Sequence, residues 1–348
     1  MQKLLVIGDI HMGRLSYSEY IKDSRLPEKQ AVLDFIVRQA EDVDKVIILG
    51  DCFNSKTPSA ETVKDFTNFI ERFGDKRVFV IGGNHEISSS GKSALDYLKE
   101  ITNKNWEIIT NEIYEEDGMV FAPFFSTSFL NVSTNQEAID KILSMLPDGQ
   151  ILFTHQAISG CKTVSGTLTD DFVEPVLPKD IIAKKYKITF AGHIHKSGIY
   201  DNIILTGSLF TNEVGEKEKF VWKLDGDKYE KFSLPVRKII KIEDPVKEDL
   251  DKIDDNSVVK MIFTEKTSKV EIIDIKEHAK KRFSDNGAFL IVEKNEQKRE
   301  RAHYGNGESI VDMPIERLLE IYAEQKKVDL AKLQLAFNLI NENIKTNN

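Results

Sequence analysis

The stretch KLLVIGDIHMG (Lys3–Gly13) joins a short apolar run to a glycine-containing turn that carries Asp9 and His11. The same pattern returns in DKVIILGDCFNS (44–55) and in KRVFVIGGNHE (76–86). A short apolar run that ends at a turn signal predicts a buried strand. Functional residues in open α/β sheets gather at the carboxyl ends of strands, so the three polar turns predict a functional site at one edge of a sheet.

Helical patterns separate these runs. The stretch LPEKQAVLDFIVRQAE (26–41) has a proline in its first turn, and SAETVKDFTNFIERFG (59–74) offers Ser59 as N-cap and ends in glycine. The alternation of strands and helices predicts an α/β sheet with crossover helices. From about residue 104 the apolar runs become shorter and more closely spaced, which predicts a second, more antiparallel sheet packed on the first.

The predicted fold class is α/β: a two-sheet sandwich flanked by helices, with a small C-terminal α/β cap and terminal helices. The charged, proline-containing segment LPVRKIIKIEDPVKEDLDKIDDNS (234–257) indicates a domain boundary. We therefore expect a main domain over residues 1–240, the cap over residues 245–310 and C-terminal helices over residues 311–348.

Composition and charge argue against a disulfide-rich secreted protein, a membrane protein and a strongly basic nucleic-acid-binding protein. The cysteines, Cys52 and Cys161, offer no disulfide framework, and we expect buried thiols in a reducing compartment. No segment approaches the ~20 apolar residues that cross a bilayer, and Asp9 interrupts the first apolar run, so we expect a cytoplasmic protein without a membrane partner. The net charge of -9 argues against wholesale attraction to nucleic acid, but a local basic patch or bound metals can reverse the sign.

Histidines cluster after predicted strands. Five of the seven histidines directly follow one: His11, His85, His155, His193 and His195. In AGHIHKSG, His193 and His195 are one residue apart and would point the same way in an extended run. With the carboxylates of Asp9 and Asp51 and the amide of Asn84, these imidazoles form a ligand set that suits Mn²⁺, Fe²⁺ or Zn²⁺.

These candidate ligands are too many for one ion with open positions, and two ions that share a carboxylate would use them economically. Such a pair, about 3.5–4 Å apart, can clamp a phosphoryl oxygen and hold an attacking water. Singly, the residues have other uses: Asp9 or Asp51 could cap a helix, Asn84 could occupy a turn, and His155 could be a hydrogen-bonded core histidine. Their joint placement favours a metal centre.

In order along the chain, GDIHMG, GDCFN, GGNHE, FTHQ and GHIH resemble the motifs of the calcineurin-like metallophosphoesterases. That pattern is D-x-H, G-D, G-N-H-[DE], H and G-H-x-H. The resemblance implies two metal sites that share Asp51: one of Asp9, His11, Asp51 and His195, the other of Asp51, Asn84, His155 and His193. It also implies that His85 is a catalytic histidine outside the ligand set, oriented through Glu86 or a nearby carboxylate.

Within that superfamily, GDCFNSKTPSAETVKDF and VFAPFFS resemble the SbcD-type DNA repair and recombination nuclease subunits, in their compact phage or bacterial form. The resemblance implies a two-metal DNA exonuclease and endonuclease, using Mn²⁺ with Mg²⁺ or Fe²⁺ as alternatives. It implies an SbcC-type SMC-like ATPase as partner and the bacterial cytoplasm or a phage-infected cell as location, and it leaves open whether the chain is a monomer or a homodimer. Asn54 departs from the pattern, because relatives often have histidine there. Its amide can donate to a phosphate in catalysis but carries no positive charge.

Two features of the C-terminal region each have two interpretations. The basic residues of KKRF and KNEQKRERAH could contact DNA phosphates: Lys280, Lys281, Arg282, Lys298, Arg299 and Arg301. Interleaved glutamates equally fit a solvated charged face. The apolar stripes within residues 318–322 and 330–340 could pack on their own domain or dock a coiled coil of the ATPase.

Two other functions compete with the nuclease hypothesis. One is a stand-alone phosphatase or nucleotide phosphodiesterase acting on a small or protein substrate. The other is a binding scaffold that has kept the fold and lost catalysis, against which the intact motifs argue.

Overall fold

The structure is a computed structural model that describes residues 2–13, 16, 25–88, 92–100, 105–211, 216, 218–254, 257–283, 319, 323 and 329, and the backbone of 288–293. Residues 1–294 form one compact unit and residues 295–348 a second. The predicted terminal helices lie almost entirely outside the described residues. Within the described part of the chain, no helix is both long enough and apolar enough to cross a membrane.

The first sheet has six strands in the order β12-β11-β1-β2-β3-β4. In chain order they are β1 (Lys3–Ile7), β2 (Lys45–Ile48), β3 (Arg77–Ile81), β4 (Trp106–Ile109), β11 (Phe220–Asp225) and β12 (Lys228–Ser233). Strands β1 to β4 are parallel, whereas β11 and β12 return antiparallel. The three N-terminal strands lie where the apolar runs predicted them.

Helices α1 (Leu26–Gln39) and α2 (Ala60–Glu71) cross over between the first three strands. Proline occupies the first turn of α1, where its missing N–H is not needed. Ser59 is the N-cap of α2, as predicted, and its hydroxyl accepts the backbone N–H of Thr62 at 3.2 Å. Both helices bury apolar side chains against the outer face of the first sheet.

The second sheet also has six strands, in the order β5-β6-β7-β8-β10-β9. They are β5 (Tyr114–Glu116), β6 (Met119–Ala122), β7 (Ile151–Thr154), β8 (Ile188–Ala191), β9 (Gly198–Tyr200) and β10 (Ile203–Leu205). Its outer face is covered by helices that follow β6 and β7: α3 (Thr127–Leu130), α4 (Asn135–Met145) and α5 (Lys179–Lys185).

The prediction that the second sheet is more antiparallel than the first was wrong, because each sheet has three parallel and two antiparallel strand pairs. The β6–β7, β7–β8 and β8–β10 pairs are parallel, and only the two edge pairs are antiparallel. The connections that carry α4 and α5 are long enough to return the chain to the starting end of the sheet, as parallel pairing requires. The central strands therefore end at the same edge.

Stacked aromatic rings join the two sheets. Phe79 of β3, Phe121 of β6, Phe153 of β7 and Phe190 of β8 are all fully buried. The ring centroids of Phe79 and Phe121 are 4.4 Å apart, and those of Phe121 and Phe153 are 5.2 Å apart. Phe153 and Phe190 continue the stack at 5.6 Å. This layer holds the sheets face to face and so fixes where their strand ends meet.

A third, parallel sheet contains β13 (Lys238–Glu243), β14 (Ser257–Phe263) and β15 (Ala288–Glu293), with helices α6 (Lys247–Asp251) and α7 (Lys269–Arg282). The segment that we interpreted as a boundary thus contains a strand, because Ile240 and Ile242 pack beside a small apolar cluster despite the lysines around them. The domain limits at residues 240, 245 and 310 stay a prediction. Cys52 and Cys161 are buried free thiols, as expected.

We expect Phe121→Ala to lower the free energy of unfolding by about 3–5 kcal/mol, because truncation leaves a cavity between two stacked rings. Urea denaturation followed by circular dichroism measures this change. Val173→Ala is the control, since Val173 is fully exposed and its truncation should leave the midpoint unchanged. An equal, small effect of both substitutions would contradict a central role for the ring stack.

Candidate metal centre

The polar turns after five strands meet at one edge of the sandwich. The first sheet supplies Asp9, His11, Asp51, Asn84 and His85, which follow β1, β2 and β3. The second sheet supplies His155, His193 and His195, which follow β7 and β8. The structure therefore brings together all seven predicted ligands and His85, and the cluster spans both sheets.

Backbone hydrogen bonds lock the first two turns together. The carbonyl oxygen of Asp51 accepts the N–H groups of Ile10 at 3.0 Å and His11 at 2.8 Å. His11, Asp51 and His193 have positive φ angles of 51°, 44° and 72°. This left-handed conformation costs a non-glycine residue about 1–2 kcal/mol. Such strain persists only where the surrounding structure imposes it, and three of the seven described non-glycine residues with positive φ are predicted ligands.

Glycines allow the close approach of these side chains. A Cβ atom at Gly83 would lie 2.2 Å from Asp51 Oδ1 and 2.9 Å from His155 Nε2. At Gly50, where φ is +96°, a Cβ would lie 2.5 Å from His155 Nδ1. Gly50 and Gly83 are therefore required by the space that the ligands occupy.

The first predicted ligand set converges around the imidazoles of His11 and His195, whose Nε2 atoms are 2.9 Å apart. Asp9 Oδ2 lies 3.9 Å from His195 Nε2, and Asp51 Oδ2 lies 3.7 Å from His11 Nε2. Burial lowers the pKa of His11 to about 3, so its ring is neutral and can bind a cation. Burial raises the pKa of Asp9.

The second predicted set converges around the amide oxygen of Asn84. Asn84 Oδ1 lies 3.1 Å from His155 Nε2 and 3.0 Å from His193 Nδ1. Asp51 Oδ1 lies 3.3 Å from the same His155 nitrogen. The two carboxylate oxygens of Asp51 thus face different ligand sets, which is the arrangement that a bridging ligand needs.

The residues present fit divalent cations. Asp9 Oδ2 is buried and has no hydrogen-bond partner among the described residues, which is rare for a buried carboxylate oxygen and is explained by an ion. Burial opposes the charge of His155, yet Asp51 and Asp9 raise its pKa to about 10. Burial likewise raises the pKa of Asp51, but His155 and the neighbouring histidines outweigh this effect and lower it. A bound cation would replace the proton of His155.

His85 lies at the open side of the cluster, with 40% of its side chain exposed. Its backbone N–H donates to Asp51 Oδ1 at 3.0 Å, and its Nδ1 lies 3.4 Å from the carbonyl oxygen of Asn54. Its Nε2 is 4.0 Å from Asp51 Oδ2. Because His11, Asp51 and His85 also form a compact triad, geometry alone does not separate His85 from the ligands.

Of the two alternatives that the resemblance implies for orienting His85, Glu86 or a nearby carboxylate, the described contacts favour the second, with Asp51 as the carboxylate. The buried carboxylate of Glu86 accepts the backbone N–H groups of Phe53 at 2.7 Å and Gly83 at 2.9 Å. Burial, together with Asp51, raises the pKa of Glu86 to about 8. Glu86 therefore joins the turns after β2 and β3. The backbone of Asn54 and the carboxylate of Asp51 hold His85 instead.

Sequence reasoning missed Glu174, whose Oε1 contacts His193 Nε2. Glu174 lies in TDDFVEPVLP, a stretch without a motif or a regular apolar pattern, so only the tertiary structure reveals this contact. It also missed Lys219, whose buried ammonium donates to the carbonyl oxygen of His195 at 3.1 Å.

Three of the six residues predicted to contact DNA lie at the end of one helix. Lys280, Lys281 and Arg282 form the last turn of α7, and the Arg282 guanidinium donates to the carbonyl oxygen of Ile253 at 3.0 Å. Lys298, Arg299 and Arg301 lie outside the described residues. The proposed contacts of this group with DNA stay a prediction.

We expect Gly83→Ala to reduce bound Mn²⁺ from two ions to at most one per chain, because the new Cβ would overlap Asp51 Oδ1. Metal analysis after Mn²⁺ incubation and dialysis measures the loss. Gly74→Ala is the control: its Cβ would meet nothing within 4 Å, and its only cost is the backbone strain of its φ of +62°, which Gly83 does not share. Full retention of two ions by Gly83→Ala would contradict the bridging position of Asp51.

Comparison with known proteins agrees with this geometry. The DNA double-strand break repair protein Mre11 of Archaeoglobus fulgidus is 24% identical over 241 residues, which cover 63% of this chain and 52% of that protein. The chain thus spans about half the length of this curated relative. A family model described as calcineurin-like phosphoesterase matches residues 2–197, more than half of the chain and all seven predicted ligands. The chain therefore belongs to the calcineurin-like phosphoesterase family.

Proposed function

We propose that this chain is a metal-dependent phosphodiesterase that cleaves DNA, as the nuclease subunit of a repair or recombination complex with an SbcC-type ATPase. The observation that carries the phosphodiesterase chemistry is the position of Asp51. Its Oδ1 faces His155 and its Oδ2 faces His11, so one buried carboxylate serves two neighbouring ligand sets.

In this proposal one ion is held by Asp9, His11, Asp51 and His195, and the other by Asp51, Asn84, His155 and His193. Mn²⁺ fits the mixed oxygen and nitrogen donors, with Mg²⁺ and Fe²⁺ as alternatives. Two bound ions supply positive charge that stabilises a phosphoryl group as it reacts, and they lower the pKa of water toward ~7. Ligand positions are set by the backbone turns, so little reorganisation is needed when substrate binds.

His85 would act as the acid that protonates the leaving oxygen. It is the most exposed imidazole of the centre, its backbone N–H donates to Asp51, and its ring contacts the carbonyl oxygen of Asn54. The Asn54 side chain is exposed beside it and could donate to a phosphate oxygen. A positioned general acid typically contributes about 10²–10⁴-fold to a rate.

DNA as substrate is supported by two observations of different kinds. The Archaeoglobus fulgidus relative is named for repair of DNA double-strand breaks. The third sheet adds an α/β element after the phosphoesterase core, and its helix α7 ends in three consecutive cations. The terminal apolar stripes supply a candidate ATPase-binding segment. We propose that residues 245–310 face DNA, that residues 311–348 bind the ATPase, and that the nuclease acts as a homodimer.

The overall charge favours a second candidate, a stand-alone phosphodiesterase for a small substrate. A net charge of -9 repels a polyanion at long range, whereas a small ester needs no extended basic surface. The same two-ion chemistry would serve it.

We expect His85→Asn to keep both metal ions and to lose about 10²–10⁴-fold in hydrolysis, because asparagine cannot donate a proton as an acid. Metal analysis and a chromogenic phosphodiester assay measure the two quantities on the same preparation. His278→Asn is the control, since His278 pairs with Asp251 in the third-sheet region. Loss of an ion with His85 would instead make this residue a ligand.

We expect the purified chain to degrade labelled linear double-stranded DNA in the presence of Mn²⁺, and Asp51→Asn to abolish this activity because the bridging charge is removed. A chromogenic phosphodiester is assayed in parallel. Hydrolysis of the small ester without DNA loss, also after addition of an SbcC-type ATPase, would favour the second candidate. No hydrolysis of either substrate by a chain loaded with two ions would contradict both.

A further inference from the structure

The side chain of Glu174 reaches the metal centre from outside the family motifs. It lies in the long connection between β7 and β8, and its carboxylate contacts Nε2 of His193. A carboxylate only accepts hydrogen bonds, so the proton of this contact resides on Nε2. His193 is partly buried, and the rings of Phe124 and Phe172 lie 5.9 Å and 6.1 Å from its own ring centroid. The imidazole therefore has a fixed orientation.

This contact determines which nitrogen of His193 can bind a cation. A neutral imidazole carries one N–H, so a proton on Nε2 leaves Nδ1 with a free lone pair. Nδ1 is the atom that faces Asn84 Oδ1 at 3.0 Å. On the other side of Asn84, the His155 Nδ1–H donates to the carbonyl oxygen of Leu49, which leaves Nε2 as the ligand atom. Lone pairs from three side chains then converge at one point.

The chain holds Glu174 firmly in this position. Gln156, the residue after His155, is buried, and its amide N–H donates to the carbonyl oxygen of Pro175 at 2.6 Å. The amide oxygen of Gln156 accepts the backbone N–H of Phe125 at 3.1 Å. Leu177 follows Pro175 by two residues, and its backbone N–H donates to the carbonyl oxygen of Ala157 at 2.8 Å. Glu174 and the ligand His155 thus belong to one hydrogen-bonded piece of backbone.

We infer that Glu174 is a positioning residue of the second ion site: it fixes the orientation of His193 and keeps its proton on Nε2, so that Nδ1 is presented to the cation. The inference rests on the proposed two-ion centre. Partners of this kind, which bind the outward nitrogen of a ligand histidine, typically change metal affinity about 10–100-fold when removed.

The test compares Mn²⁺ binding by Glu174→Gln, Glu174→Ala and Asp171→Asn, measured by isothermal titration calorimetry. Asp171 is an exposed carboxylate in the same connection, so its variant repeats the charge change away from His193. We expect Glu174→Ala to weaken one of the two ions about 10–100-fold and to leave the other unchanged. Glu174→Gln keeps an acceptor oxygen, so we expect a smaller loss. Asp171→Asn should match the wild type.

A second measurement determines the tautomer of the His193 ring directly, in protein without bound metal. Long-range ¹H–¹⁵N spectra of histidine-labelled protein report which ring nitrogen is protonated, and His193→Gln assigns the signal. We expect the Nε2–H form in the wild type and a mixture of forms in Glu174→Ala. A wild-type Nδ1–H form, or unchanged affinity for both ions in Glu174→Ala, would overturn the inference. Equal loss of both ions together with a lower melting temperature would do the same by showing a purely structural role.

The experiments distinguish failure of the two-ion proposal from failure of the role inferred for Glu174. If the wild-type chain binds no ions, the two-ion proposal is wrong, whatever the tautomer of His193. If the wild type binds two ions and the Glu174 variants bind them equally well, only the role of Glu174 is wrong.

Discussion

The geometry of the centre depends on one buried residue, Asp51. Its carbonyl oxygen accepts two N–H groups from the turn after β1, and its Oδ1 accepts the backbone N–H of His85 from the turn after β3. Its carboxylate also lies against His155 of the second sheet. Three turns and both sheets are thus arranged around a single side chain, and the space it needs requires glycine at position 83.

This arrangement is unfavourable without positive charge. Asp9, Asp51 and Glu86 are buried close together, and burial together with mutual repulsion raises the pKa of Glu86 to about 8. Three residues of the turns also adopt left-handed backbone conformations. The apolar layer between the sheets stabilises the fold against these costs. Strain and crowded carboxylates at one edge, supported by a well-packed interior, are what a preorganised cation site requires.

The sequence pattern was sufficient to predict those elements whose structure is determined by contacts between residues close in the sequence. Apolar runs that end in Gly-Asp or Gly-Asn turns located β1, β2 and β3, and Ser59 marked the start of α2, whereas the other three strands of the first sheet were predicted to belong to the second. Whether the strands of the second sheet are parallel or antiparallel depends on pairing between segments distant in the sequence. The spacing of the apolar runs does not reveal this pairing. Strand β13 was not predicted because lysines and a glutamate interrupt its isoleucines, which made the segment look like a charged linker. Glu174 could not be found, because its role exists only through a contact made by folding.

The position of the centre across both sheets has a consequence for the lifetime of the fold. The predicted ligands follow the ends of five strands from both sheets, namely β1, β2, β3, β7 and β8. Ions bound to them would therefore stabilise only the folded state in which the two sheets are packed together. By mass action, a ligand at 100 times its dissociation constant adds about 2.7 kcal/mol to folding. The supply of divalent metal would therefore set how often the two sheets separate, and with it the chain's susceptibility to proteolysis.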